Sequence, residues 1–267
     1  MWKVHLKIFL HESWKKYMIV IAVIIAQCAG TYSLIKQSGM MTGTGAEIHL
    51  MDYIAYFFQG TTPYTITGGE ETFNIPPYWS LYMFYFVLLI GRMTGQFSKK
   101  YEQQILLRGV TRTRWWLEIN LEIWLECIGY LVMTVLAFGV FAVCTGSSLT
   151  GTAAAALQDY LGIGFIKGNM AGMAVVFFFS FLLLAYIQQV ISMAANTIVG
   201  IIVSIALLVA SVFHNHPLLI GNYLMGIRQE MMCVDGWGVM EQTAVSAGII
   251  LIMAVAGYQI IKRKDLF

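Results

Sequence analysis

MAGMAVVFFFSFLLLAYIQQVI, residues 170–191, contains no charged side chain. As a helix, about 20 apolar residues cover the roughly 30 Å hydrocarbon core of a bilayer. Backbone N–H and C=O groups find no partners in hydrocarbon, so a stretch this long and evenly apolar has to satisfy them within itself, as a helix and not as a barrel strand. Its polar interruptions are few: Ser180, Tyr186 and the pair Gln188–Gln189. Only SMAANT, residues 192–197, separates it from a second apolar run over 198–213, a spacing that predicts a tight antiparallel hairpin.

Outward from this hairpin the same pattern recurs. Apolar runs at about 17–35, 78–96, 115–144 and 244–261 bring the expected number of spans to six in a single transmembrane domain, residues 1–267. The composition agrees: 58% of the 267 residues are apolar and 11% are charged, against about 25% charged in ordinary globular chains. Soluble classes are excluded, and the expected fold is an all-α, polytopic membrane protein. Ahead of the first span, MWKVHLKIFLHESWKK sets Trp2, Leu6, Phe9 and Leu10 on one helical arc and Lys3, Lys7, His11 and Lys15 on another, the pattern of an N-terminal interfacial helix. Between the first two spans, MDYIAYFF, residues 51–58, is too short to cross and reads as a helix at the surface or leaning on the bundle.

Six spans place both chain ends on one side. Thirteen of the sixteen basic residues then share that side, and only Lys36, Lys167 and Arg228 lie opposite. Short cytoplasmic segments are enriched in Lys and Arg, so both termini are expected in the cytoplasm. The net charge of +2 gives no argument for nucleic acid, and no such partner is expected.

Five of the thirteen inner basic residues gather in residues 98–114, where 101–107 reads as a short helix, Gly109 as a break and Thr111 as the cap of the next helix. A short helix at the cytoplasmic mouth of two membrane helices is a mechanical handle on both. Just beyond it, Glu118, Glu122 and Glu126 recur at spacing four. A charge near the bilayer centre costs about 2.5 kcal/mol or more, so this stripe is expected to face protein or water. It reads as a polar packing site between helices, an interfacial stripe or an acidic vestibule. Gln188 and Gln189, with Ser192 and Asn196, are a second candidate for polar packing or lining.

No catalytic, cofactor-binding or metal residues are expected. His214, His216, Glu230 and Cys233 lack the spacing of HExxH or CxxC sites, and no GxxxxGKS/T loop is present to bind a nucleotide. Any energy source must sit on another protein. Cys28, Cys144 and Cys233 fall at outer ends of spans and Cys127 inside one; buried small apolar residues are the expected role, with an outer disulfide as the alternative.

On its inner segment and tail the chain resembles the membrane-spanning permease subunit of type-2 ABC transporters, a family of drug, lantibiotic-immunity and polysaccharide exporters. EQQILLRGVTR, residues 102–112, looks like that family's glutamate, short coupling helix and turn, and RKDLF, residues 263–267, is similar to its basic-aspartate ending. The resemblance implies a bacterial cell-membrane protein that pairs with a second permease chain, identical or homologous, and sits on a cytoplasmic ABC ATPase that holds the ATP and magnesium. Glu102, Ile105, Leu106, Arg108, Gly109 and Arg112 would then couple to that ATPase. The implied function is efflux of an amphipathic peptide or small drug, as in antimicrobial peptide resistance. A non-transporting membrane scaffold or sensor is the competing reading, with an intramembrane enzyme behind it.

Overall fold

The computed structural model describes residues 2–42, 47–62, 76–96, 111–151, 170–230, 232 and 236–263. They form α1 (Trp2–Thr42), α2 (Leu50–Phe57), α3 (Pro77–Gln96), α4 (Arg112–Cys144), α5 (Met170–Ala194), α6 (Thr197–Phe213) and α7 (Val239–Arg263), with two 3-10 turns, Ile220–Leu224 and Gly226–Arg228, between α6 and α7. Extended pairing among the described residues is limited to isolated bridges, so the fold is all-α.

Among the described residues, four helical stretches are long and apolar enough to cross a membrane: Lys15–Gln37, Arg112–Cys144, Ala171–Ala194 and Val239–Arg263. Helices α3 and α6 occupy the places expected for the second and fifth spans, but neither reaches that standard alone. Seventeen residues of α6 make only about 25 Å of helix. In α3 the apolar run is diluted by Tyr78, Trp79, Tyr82, Tyr85 and Arg92. The surface helix expected ahead of the first span is not a separate element. Residues 2–42 contain no proline, and α1 runs unbroken through Lys15 and Lys16 into the span.

Helix α5 lies at the centre. Every residue from 180 to 190 is buried, and the helix packs against α3, α4, α6 and α7. Its apolar character on all sides suits a helix buried on all sides over this stretch, with Ala171, Ala174 and Val175 exposed at its start. The MDYIAYFF run gives α2, which is sunk into the bundle instead of lying on it: Met51, Tyr53, Ala55 and Phe57 are buried, and Asp52 Oδ2 accepts the His49 N–H at 2.7 Å to close the helix start. At its end, Phe57 and the capping Phe58 wedge between α3, α4 and α5. Phe58 meets Phe177 with ring centroids 4.6 Å apart, Phe57 meets Tyr82 at 5.3 Å and Phe138 at 5.5 Å, and the stack continues through Phe86 and Phe181 at 4.6 Å. Pairs of this edge-on kind are each worth about 0.5–1.5 kcal/mol beyond the area they bury. In a membrane bundle, where lipid competes for apolar area, such specific packing matters more than hydrophobicity.

Candidate functional site

Helix α4 starts immediately after the basic segment. Thr111 caps it, its side chain accepting from the Arg114 N–H at 3.4 Å. From this start α4 is joined to three other helices within its first four turns. The first joint is with α7: Arg112 Nη1 donates to the Lys262 carbonyl at 2.6 Å, and Thr113 Oγ1 lies 3.4 Å from the Tyr258 hydroxyl. The last four carbonyls of a helix lack intrahelical partners, so Arg112 caps the end of α7 and complements its negative pole. One turn on, the Trp116 ring lies flush against α7 at Gly257.

The second joint is with α5. Asn120 Nδ2 donates to the Trp116 carbonyl at 2.6 Å, and its Oδ1 accepts the Tyr186 O–H; Tyr186 in turn accepts from Trp124 Nε1 at 3.3 Å. The third is with α1, where the Tyr17 O–H donates to Glu126 Oε1 at 3.1 Å in a fully buried contact. Lys16 adjoins Tyr17 at this joint. Lys16 also accepts, through its carbonyl, the Tyr85 O–H of α3 at 2.5 Å.

The acidic stripe is therefore graded along α4. Glu118 is partly exposed and pairs with Arg114 at 3.5 Å; such surface pairs are worth little. Glu122 is intermediate in burial, and Glu126 is 3% exposed and bonded across to α1. Tyr17→Phe removes the partner of that buried carboxyl and is expected to cost roughly 1–3 kcal/mol. Thermal melts of Tyr17→Phe, Glu126→Gln and the double variant give the pair's coupling directly; a coupling of zero would mean that the two groups do not interact in solution.

Gln188 and Gln189 are both buried in α5. Gln188 Nε2 donates to the Val87 carbonyl of α3 at 2.9 Å. The Oε1 atoms of both glutamines and the hydroxyls of Ser192 and Ser204 have no partner among the described residues. Asn196 does not join this group; it caps α6, accepting the Val199 N–H at 2.9 Å.

At the opposite end of the bundle the structure places a buried arginine that its sequence context does not reveal. Arg228, 3% exposed, donates to the carbonyls of Thr61 at 3.0 Å, Val212 at 2.9 Å and His214 at 3.4 Å, to that of Ser211, and to Asn222 Oδ1. Burial pushes the guanidinium down to about 10, so it keeps its charge at neutral pH. Burial likewise raises the hydroxyl of Tyr223 beside it.

Of the residues singled out for coupling, Arg112 is the α4–α7 link, while Glu102, Ile105, Leu106, Arg108 and Gly109 lie outside the described residues, as does Cys233. Cys28 and Cys127 are buried free thiols and Cys144 is an exposed one. Among the described residues no three His, Cys, Asp or Glu side chains come together as metal ligands. Residues 16–267 match the model of a family described as a protein of unknown function, DUF2705. No curated protein and no solved structure matches the chain.

Proposed function

Because the chain belongs to the DUF2705 family, whose description assigns no activity, its role has to be argued from its own residues, and we propose that it is the membrane permease subunit of an ATP-driven exporter. In this reading α3 and α6 cross the membrane with the other four, held there by packing where their own hydropathy is insufficient. Both termini and residues 98–114 face the cytoplasm of a bacterial cell. A separate ABC ATPase docks on 98–114, with Glu102 at the contact, and a second permease chain completes the transporter. The cargo is an amphipathic peptide or small drug drawn from the bilayer.

The observation that supports this reading is the arrangement at the base of α4. A push on the basic segment reaches Thr111 and Arg112 first, and from there α7 through the Lys262 carbonyl, α5 through Asn120 and Tyr186, and α1 through Glu126 and Tyr17. Nucleotide-driven closure of the partner then shifts the population between inward-open and outward-open bundles, with no chemistry in this chain. A simple anchor needs the positive charges of 98–114 but has no use for three polar joints stacked directly beyond them.

Co-purification from native membranes followed by an ATPase assay tests the proposal. The wild-type chain is expected to bring down an ATP-hydrolysing protein, and Glu102→Lys to reduce its recovery by about tenfold or more, as charge reversal in a docking contact does. A wild-type preparation without an associated ATPase removes the reading. Labelling of residues 98–110 from outside intact cells would do so as well.

A further inference from the structure

The outer end of the bundle is closed by a short segment with little structure of its own. Between α6 and α7 the chain folds back as the 3-10 turns Ile220–Leu224 and Gly226–Arg228, and it buries Ile220, Tyr223, Leu224 and Met225 against α5 and α6. Turns of this kind have poor hydrogen-bond geometry and seldom persist without outside support. That support comes from a few identifiable bonds. The N–H groups of Gly226 and Ile227 donate to the carbonyls of Phe58 and Gln59 at 2.6 and 3.0 Å, the Gly221 N–H donates to Ser211 Oγ at 3.1 Å, and Trp79 Nε1 donates to the Leu224 carbonyl at 2.8 Å.

Arg228 ties these bonds together. One guanidinium joins the end of the turn segment to the C-terminal carbonyls of α6, to Thr61 after α2 and to Asn222 within the segment. Every one of these acceptors is neutral, and no carboxylate approaches it among the described residues. Among the described residues, the positive charge is met by these neutral acceptors and by the negative pole of α6. This distinguishes the arrangement from a buried salt bridge, whose rupture strands two charges. When the guanidinium leaves, it passes into water, where it is better solvated than in its buried seat, and it leaves behind only carbonyl groups that water also satisfies.

We propose that Ile220–Arg228 is a gate that lifts as a unit from the outer end of the α3, α5 and α6 bundle, and that Arg228 is its latch. The gate is bonded to the Phe58 carbonyl, where the aromatic stack begins, and packs on α5 and α6, so its release opens that end of the bundle toward its apolar centre. The inference concerns the opening of this segment in the chain itself. It requires neither a partner ATPase nor a particular cargo, and it can fail while the transport reading stands, or the reverse.

Hydrogen–deuterium exchange on the purified full-length chain, read by mass spectrometry at pH 7, tests it with Arg228→Met and Arg228→Lys beside wild type. In Arg228→Met the amides of Gly221, Gly226 and Ile227 are expected to exchange about tenfold faster or more, with α5 and the middle of α6 unchanged, as for a locally opening unit. Arg228→Lys is expected to fall between, because an ammonium has three donors where the guanidinium has five in a fixed fork. Wild-type protection of these amides in Arg228→Met overturns the latch. Acceleration spread evenly through α5 and α6 in both variants overturns the gate, since the segment then opens only with the whole bundle.

Discussion

Leucine in place of Gly200 is expected to force α5 and α6 apart and to unfold the end of the bundle at the turn between them. Gly200 lies in the first turn of α6, four residues after the Asn196 cap that follows the turn from α5. A Cβ at this position would stand 2.8 Å from the Gln188 carbonyl oxygen and closer still to Ser192 Oγ. The serine can rotate away, but the carbonyl belongs to the backbone of the most buried helix and cannot. Overpacking against such a wall costs about 1–3 kcal/mol or more. The damage extends further because Gln188 also holds α3 through the Val87 carbonyl. Since α6 is only 17 residues long, its place in the bundle depends on this close approach more than on its hydropathy. Thermal melts of the detergent-solubilised chain should show a clear drop for Gly200→Leu and a smaller one for Gly200→Ala. Gly139→Leu serves as the control, since nothing lies within 4 Å of a Cβ there. Equal melting temperatures for Gly200→Leu and wild type would show that the two helices are not in contact.

The difference between these two glycines indicates what the sequence discloses and what it does not. Helices α4, α5 and α7 are legible as spans because hydrocarbon demands a uniform property, long apolar runs, that needs no knowledge of neighbours. α3 is less legible for a physical reason: Trp79, Tyr82 and Tyr85 lower its hydropathy, yet Trp79 and Tyr82 are buried, their polar atoms bonded to the Leu224 carbonyl and to Thr134. The periodicity of MDYIAYFF predicts a helix but not its depth, because depth is fixed by aromatic partners on three other helices. The spacing-four acidic stripe is visible in the sequence, whereas its grading from a surface pair at Glu118 to a buried bond at Glu126 depends on Tyr17, 109 residues away. Arg228 is the extreme case. Four of its acceptors are backbone carbonyls, and a carbonyl is the same at every residue, so no pattern of side chains announces the site.

Gly257→Leu is expected to disconnect the basic segment from the last helix while leaving the proposed docking residues unaltered. A Cβ at Gly257 would stand 2.8 Å from Cζ2 of Trp116 and closer to Cη2, so any side chain there drives the indole, and α4 with it, away from α7. Trp116 is only 6% exposed, which leaves its ring little room to rotate. Separation at this level also lengthens the Arg112 bond to the Lys262 carbonyl one turn below, and α7 loses the cap on its free carbonyls. If α4 transmits the motion of an ATPase to α7, the partner should still co-purify with Gly257→Leu, because residues 98–111 are unaltered. Transport-coupled ATP turnover should nevertheless fall by about tenfold, the size of a coupling change of roughly 1–2 kcal/mol. Arg112→Ala should give a weaker effect in the same direction, since it removes the cap without wedging the helices. Loss of the partner from Gly257→Leu would mean that the α4–α7 joint shapes the docking site and does not relay force. Undiminished coupled turnover in both variants would mean that the α4–α7 joint carries none of the motion.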